Sequence, residues 1–258
     1  NSGNLTITTT PDSSSNTSFT NNTTEGNGGA VANTGSGTLN IERVDFSDNH
    51  STGSGAQRGW GGAVYSEGTS AAITDSSFSS NTAQNGGGAV FNYAGKMTIN
   101  GTSFIGNETT NDNSNGGAVV NAAEMEINGS HFENNYSQGV GGAFANAFNS
   151  GAEITTTISD TTFINNHSDT GGGAIINTGS ASDQVHTLTI NGGTKFDGNY
   201  VANEAGTTAS YAGGAIINET GTAGGADAVL NINGTENNKV TFTNNVAETG
   251  GAILNGGS

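Results

Sequence analysis

Residues 87–107 read GGAVFNYAGKMTINGTSFIGN. A Gly-Gly-Ala triplet, an Asn, a short apolar alternation, an Asn-Gly pair and a Phe-x-x-Asn follow one another. Nearly the same order returns along the whole chain of 258 residues. Gly-Gly-Ala plus a bulky apolar residue occurs eight times, from Gly28, Gly61, Gly87, Gly116, Gly141, Gly172, Gly213 and Gly250. Three residues after the Ala come Asn33, Ser66, Asn92, Asn121, Asn146, Asn177, Asn218 and Asn255. Phe-x-x-Asn also occurs eight times, from Phe19, Phe46, Phe78, Phe104, Phe132, Phe163, Phe196 and Phe242.

Self-similarity at this period is the mark of a solenoid or a related array. Gly and Asn are too frequent for helices, and no stretch carries a 3.6-residue apolar period. Leu39-Asn-Ile41, Met97-Thr-Ile99, Met125-Glu-Ile127, Leu188-Thr-Ile190 and Leu230-Asn-Ile232 alternate with period two, which is strand patterning. The chain is therefore expected to be all-β. It reads as a parallel β-helix of about eight coils, each with three short strands, forming one repeat segment over residues 1–258. At about 4.8 Å per coil the rod would be roughly 38 Å long.

Each column has a physical reading. Val31, Val64, Val90, Val119, Phe144, Ile175, Ile216 and Ile253 should point inward, as should the Leu/Met and Ile of the second strand and the eight Phe. Asn-Gly at Asn100 and Asn128 supplies a corner, and Asp75 and Asp160 take the Gly place in two repeats. The two Asn columns at strand ends are expected to form hydrogen-bonded ladders. Coil corners lengthen into loops at residues 51–60, 178–187, 200–212 and 219–229. Loops on a solenoid are a usual home of function.

Composition bounds the function. Only five bases face 22 acids, giving a formal charge of −17. Nucleic-acid binding needs clustered Lys and Arg, and no basic run exists. Attraction to anionic lipid is disfavoured for the same reason. The chain has no Cys, and its apolar runs are too short to span a bilayer. It starts at Asn1 and stops soon after a repeat begins, so it reads as a piece of a longer protein whose export signal or anchor lies elsewhere.

Alternating GGA[ILV] and FxxN motifs resemble the polymorphic outer membrane proteins of Chlamydia. The resemblance covers almost the whole chain. It implies a right-handed β-helical passenger of autotransporter type, displayed on a cell surface and anchored at the outer membrane through a part not present here. Adhesion is the role it implies, with both motifs associated with host-cell contact. Chlamydial members are often Cys-bearing, and this chain is not.

β-Helices also carry polysaccharide lyases and hydrolases, whose sites need carboxylates gathered on one face. Here Asp75 and Asp160 fall three repeats apart, and Asp45, Asp48, Lys195 and Asp197 scatter over different coils. His50 and His167 are four repeats apart, and no spacing resembles a zinc or calcium site. No catalytic residue, cofactor or metal is expected.

Two features suggest contact surfaces. The residue after each inward Val, Phe or Ile forms an apolar column: Ala32, Tyr65, Phe91, Val120, Ala145, Ile176, Ile217 and Leu254. Alternation turns this column outward, where it would invite a partner, unless a corner or loop buries it. The second feature is Arg58 with Trp60 in an extended loop, two residue types favoured at binding hot spots, though Trp60 can equally pack that loop. Arg58, Trp60, Tyr65, Phe91, Val120, Ile176, Ile217 and Leu254 are thus the candidate partner-binding residues. The reading is a surface adhesin for a host-cell or matrix receptor or glycan. The alternatives are a self-associating rod or fibre unit and a carbohydrate-active enzyme.

Overall fold

The computed structural model describes residues 3–55, 57–147, 153–179, 184–202, 212–220 and 227–256. Parts of the loops expected at 178–187, 200–212 and 219–229 lie outside the described residues. Among the described residues the regular structure is all β, and every strand pairs in parallel with its equivalent one repeat away. The chain is a parallel β-helix of about eight coils.

Each coil but the last has four strands where three were expected. In the opening stretch they are Val90–Asn92, Lys96–Asn100, Ser103–Ile105 and Glu108–Thr109. Three sheets of eight strands and one of seven result. The extra sheet is the short one after Phe-x-x-Asn, with strands of only two residues. Two residues carry no legible alternation, and their inward members are small: Ser51, Ala83, Thr109, Ser137 and Ser168 are buried. Only Val201, in the last of these strands, is a bulky apolar residue among them, so the pattern does not announce a strand.

The register stacks like on like. Met97 pairs with Met125, Ile99 with Ile127, and Val90 with Val119. The eight Phe form one uninterrupted stack with ring centroids 4.7–5.0 Å apart and planes within 12°. Phe46 to Phe196 are buried, while Phe19 and Phe242 in the end coils are partly so. Burying each such ring is worth roughly 1.5–3 kcal/mol.

The corners follow from backbone needs. The first Gly of the triplet has positive φ, +61° at Gly87. A Cβ on the second, Gly88, would collide with the carbonyl oxygen of Gly117 in the next coil. Close coil-on-coil approach thus demands glycine. The Ala carbonyl then accepts two N–H groups, as Ala118 O does from Ala89 and Val90 at 2.9 Å. Asp75 and Asp160 do take left-handed φ, +47° and +48°, at the corner where Gly101 and Gly129 stand.

The ladder after the Phe stack runs unbroken. Asn107 Oδ1 accepts from both the backbone N–H and Nδ2 of Asn81, while its own Nδ2 donates to Phe78 O and Asn135 Oδ1, all at 2.9–3.1 Å. The same set recurs from Asn22 to Asn245. The second ladder is interrupted. Asn92 Nδ2 donates to Asn121 Oδ1, and the series continues to Asn255. At the Ser66 position it stops, and Asn92 Oδ1 is buried with no hydrogen-bond partner. A third column, at Ser76, Thr102, Ser130 and Thr161, was not read from the sequence. Each hydroxyl donates to the carbonyl two residues back and accepts the N–H of the preceding coil's equivalent.

Candidate functional site

The apolar column after the inward Val, Phe or Ile is not an exposed stripe. Tyr65, Phe91, Val120, Ala145, Ile176 and Ile217 are buried, forming a second apolar cluster with Trp60, Ala122, Ala147 and Ala212. Leu254 in the last coil is partly buried, and Ala32 in an early coil is exposed. The cover comes from the residue just before each Gly-Gly. Trp60, Gly86, Asn115, Val140, Gly171, Ala212 and Thr249 form a ladder of parallel bridges there. Alternation does aim the column away from the main core, but the corner before each Gly-Gly-Ala strand lies over it.

Trp60 belongs to this cover. It is 7% exposed and stacks on Phe91 with centroids 4.9 Å apart. Tyr93 lies beside both rings at 6.2 and 6.5 Å, and Tyr65 lies 6.0 Å from Phe91. Tyr65 donates its hydroxyl to Glu67 Oε2 at 3.1 Å. Burial first, then the Glu67 charge, hold that phenol well above its ordinary range. The candidate aromatic residues therefore brace the loop and the strand beneath it. Arg58 is different. It is exposed and lines a shallow groove of about 480 Å³ with Glu25, Thr52, Gly53, Ser54 and Gly55.

A surface that sequence reading did not single out lies on the short-strand sheet. The first residue of each short strand points outward, giving the column Thr23, His50, Thr82, Glu108, Tyr136, His167, Tyr200. The ring of His167 is stacked between Tyr136 at 4.4 Å and Tyr200 at 4.8 Å. Tyr136 and His167 are half-buried, and Tyr200 is 36% exposed. Val246, bridged to Tyr200 in the next coil, is 60% exposed. Tyr136 donates its hydroxyl to Asp169 Oδ2 at 3.0 Å. Glu108, next to Tyr136 in register, is half-buried, and burial pushes its carboxyl up. The available signal was the residue after each Phe-x-x-Asn: Tyr136, His167 and Tyr200 occupy that place in three successive repeats.

Of the remaining titratable groups, Lys96 gathers Glu124 and Glu126 at 3.0 and 2.5 Å on the exposed face of the long-strand sheet. His50 Nδ1 lies 2.6 Å from Thr82 Oγ1, and His131 Nδ1 lies 2.6 Å from Thr162 Oγ1, with Glu133 3.1 Å from its Nε2. His186 is buried with Nδ1 on Thr178 O, and burial lowers its pKa. Among the described residues no three His, Asp or Glu side chains converge.

Fold and surface together define a parallel β-helical repeat protein with a hydrogen-bonded interior and an aromatic stripe outside. The repeat itself is that of the Chlamydia polymorphic membrane protein, found four times, at residues 16–34, 75–93, 160–178 and 239–256. Each match runs from the Phe strand through the ladder Asn to the Gly-Gly-Ala strand, and the first three include the short strand between them. These are repeats of a surface-exposed membrane-protein family. No curated protein and no solved structure matches the chain. Among the described residues no helix is long and apolar enough to cross a membrane.

Proposed function

We propose that this β-helix is the displayed rod of a surface adhesin. It is held at the outer membrane by another part of the protein and contacts a host-cell or matrix receptor through its sides and loops. The observation that carries this reading is the four-fold match to a surface-protein repeat. Two physical features support it. Stacked coils joined by buried ladders make a stiff scaffold, and a stiff scaffold presents side chains without an ordering cost on binding. The repeat constrains inward columns and corners, leaving outward positions such as Tyr136 and Arg58 free to vary in chemistry.

Nothing in this role requires chemistry, and the carboxylate pair Glu124 and Glu126 is held by Lys96 in an exposed ion-pair cluster. The buried candidates Trp60, Tyr65, Phe91, Val120, Ile176 and Ile217 act in it as support for the surface. Arg58 acts as a direct contact. The test is binding of labelled purified chain to cultured host cells. Saturable binding, competed by unlabelled chain and weakened by Arg58→Ala, is expected. Binding that rises linearly with concentration and resists competition would overturn the adhesin reading.

A further inference from the structure

We propose that the outer column Glu108–Tyr136–His167–Tyr200 is a docking stripe for an exposed, arginine-bearing polypeptide segment. The inference rests on the adhesin reading for its biological setting, but its chemistry stands on the stripe alone.

Three observations converge on a guanidinium. The first is the aromatic stack, which ends at Tyr136 on the side where Glu108 is the next residue in register. A planar cation placed there would extend the ladder by one rung, lying on a tyrosine face with a carboxylate at its edge. Arg suits that place better than Lys. Its guanidinium is flat, weakly hydrated, and able to stack and donate at once. The second is Glu108 itself. It is half-buried, and among the described residues no Lys or Arg pairs with it. Its desolvation is uncompensated within the chain, so a cation from outside would be favoured.

The third is the distribution of charge. Arg43, Lys96 and Lys195 sit on or beside the long-strand and Phe sheets, and Lys239 stands two residues before a Phe-sheet strand. The short-strand side carries Glu25, Glu108 and Asp169 with His50 and His167, and Arg58 stands in the loop beyond it. On a chain of net charge −17 this is the side where a basic partner meets acids and aromatic edges together. The exposed Tyr200 and Val246 extend the stripe with apolar area for the rest of a peptide.

The experiment uses the full chain and a dye-labelled Ser/Gly peptide carrying four arginines, read by fluorescence anisotropy. Matched peptides carry four lysines or four glutamates. The arginine peptide should bind best, the lysine peptide several-fold more weakly, and the glutamate peptide not at all. Glu108→Gln and Tyr136→Ala should each weaken arginine-peptide binding about tenfold, the loss of one charge-assisted or cation–π contact. Tyr136→Phe keeps the ring and should bind within about twofold of wild type. Glu126→Gln, on the long-strand sheet, makes the same change in net charge and should leave binding unchanged. Circular dichroism and melting curves verify that each variant is folded, and Glu108→Gln, which keeps the side-chain shape, decides the matter if Tyr136→Ala does not fold. Absence of binding, equal binding by all variants, or an equal loss with Glu126→Gln would overturn the proposal. Cell binding measured on the same variants separates the two readings. Cell binding without peptide binding leaves the adhesin and removes the stripe, and the reverse leaves the stripe and removes the adhesin.

Discussion

Two aromatic stacks run along this rod, one inside and one outside. Inside, eight Phe rings stack at 4.7–5.0 Å over the full length. Outside, Tyr136, His167 and Tyr200 stack at 4.4 and 4.8 Å over three coils. The spacing is the same because one coil repeat sets it. What differs is water. The inner stack removes its apolar area from solvent completely from Phe46 to Phe196 and in part at the two ends, so every coil needs it. The outer stack keeps its edges exposed, so stability does not demand it, and the other coils place Thr, His, Glu or Val at that position instead. Geometry shared by both stacks therefore contributes to the core in one case and to a surface in the other.

Substitutions test this contrast directly. Phe104→Ala opens a cavity in the inner stack and should cost about 3–5 kcal/mol in chemical denaturation. Tyr136→Ala should cost less than about 1 kcal/mol, since its ring is partly solvated. Equal losses would mean the outer stack is structural and would break the distinction. The ladder beside the inner stack should rank next. Asn107→Ala strands the N–H groups of Asn81 and the carbonyl of Phe78, for a loss of about 2–3 kcal/mol.

Ladder continuity provides a gain-of-stability test. Ser66→Asn would return a donor to the partnerless Asn92 Oδ1 and is expected to stabilise the fold by about 1 kcal/mol. No gain in melting temperature would show that the gap at Ser66 is fixed by packing and not by hydrogen bonding. The smallest effect concerns two histidines, His167 outside and His186 inside. Burial lowers the pKa of His186, so the folded state resists its protonation. Its favourable contribution is present above the ordinary His value of about 6.5 and is lost as pH falls below it. His186→Leu should therefore melt progressively higher relative to wild type from pH 7 to pH 5. A constant difference over that range would count against a buried neutral imidazole.

Much of this architecture is legible in the residues. Phe104 and its seven equivalents announce their column because a large ring repeated in register has only one economical place, the interior. The Asn of Phe-x-x-Asn is equally legible, since a polar side chain beside that stack must bond to its copies above and below. Tyr65, Phe91 and Ile176 were harder. Alternation states only that they leave the main core, and the cover over them is built by Trp60, Val140 and Ala212, which share no residue type. Their burial was thus hidden from pattern. The stripe of Tyr136, His167 and Tyr200 was hidden for another reason. It lies on a two-residue strand that carries no periodicity, and its members are 31 and 33 residues apart in the chain.

The sequence by itself determined the inward columns, the glycine corners and the coil number, because each is a local requirement repeated once per coil. Glycine must stand where a Cβ would strike the next backbone, and Phe must stand where a large apolar volume is enclosed. Only the tertiary structure decided the fourth strand, the covered second cluster and the outer aromatic stripe. Those depend on which side chains meet when one coil lies on the next, and that contact crosses about thirty residues of chain before it exists.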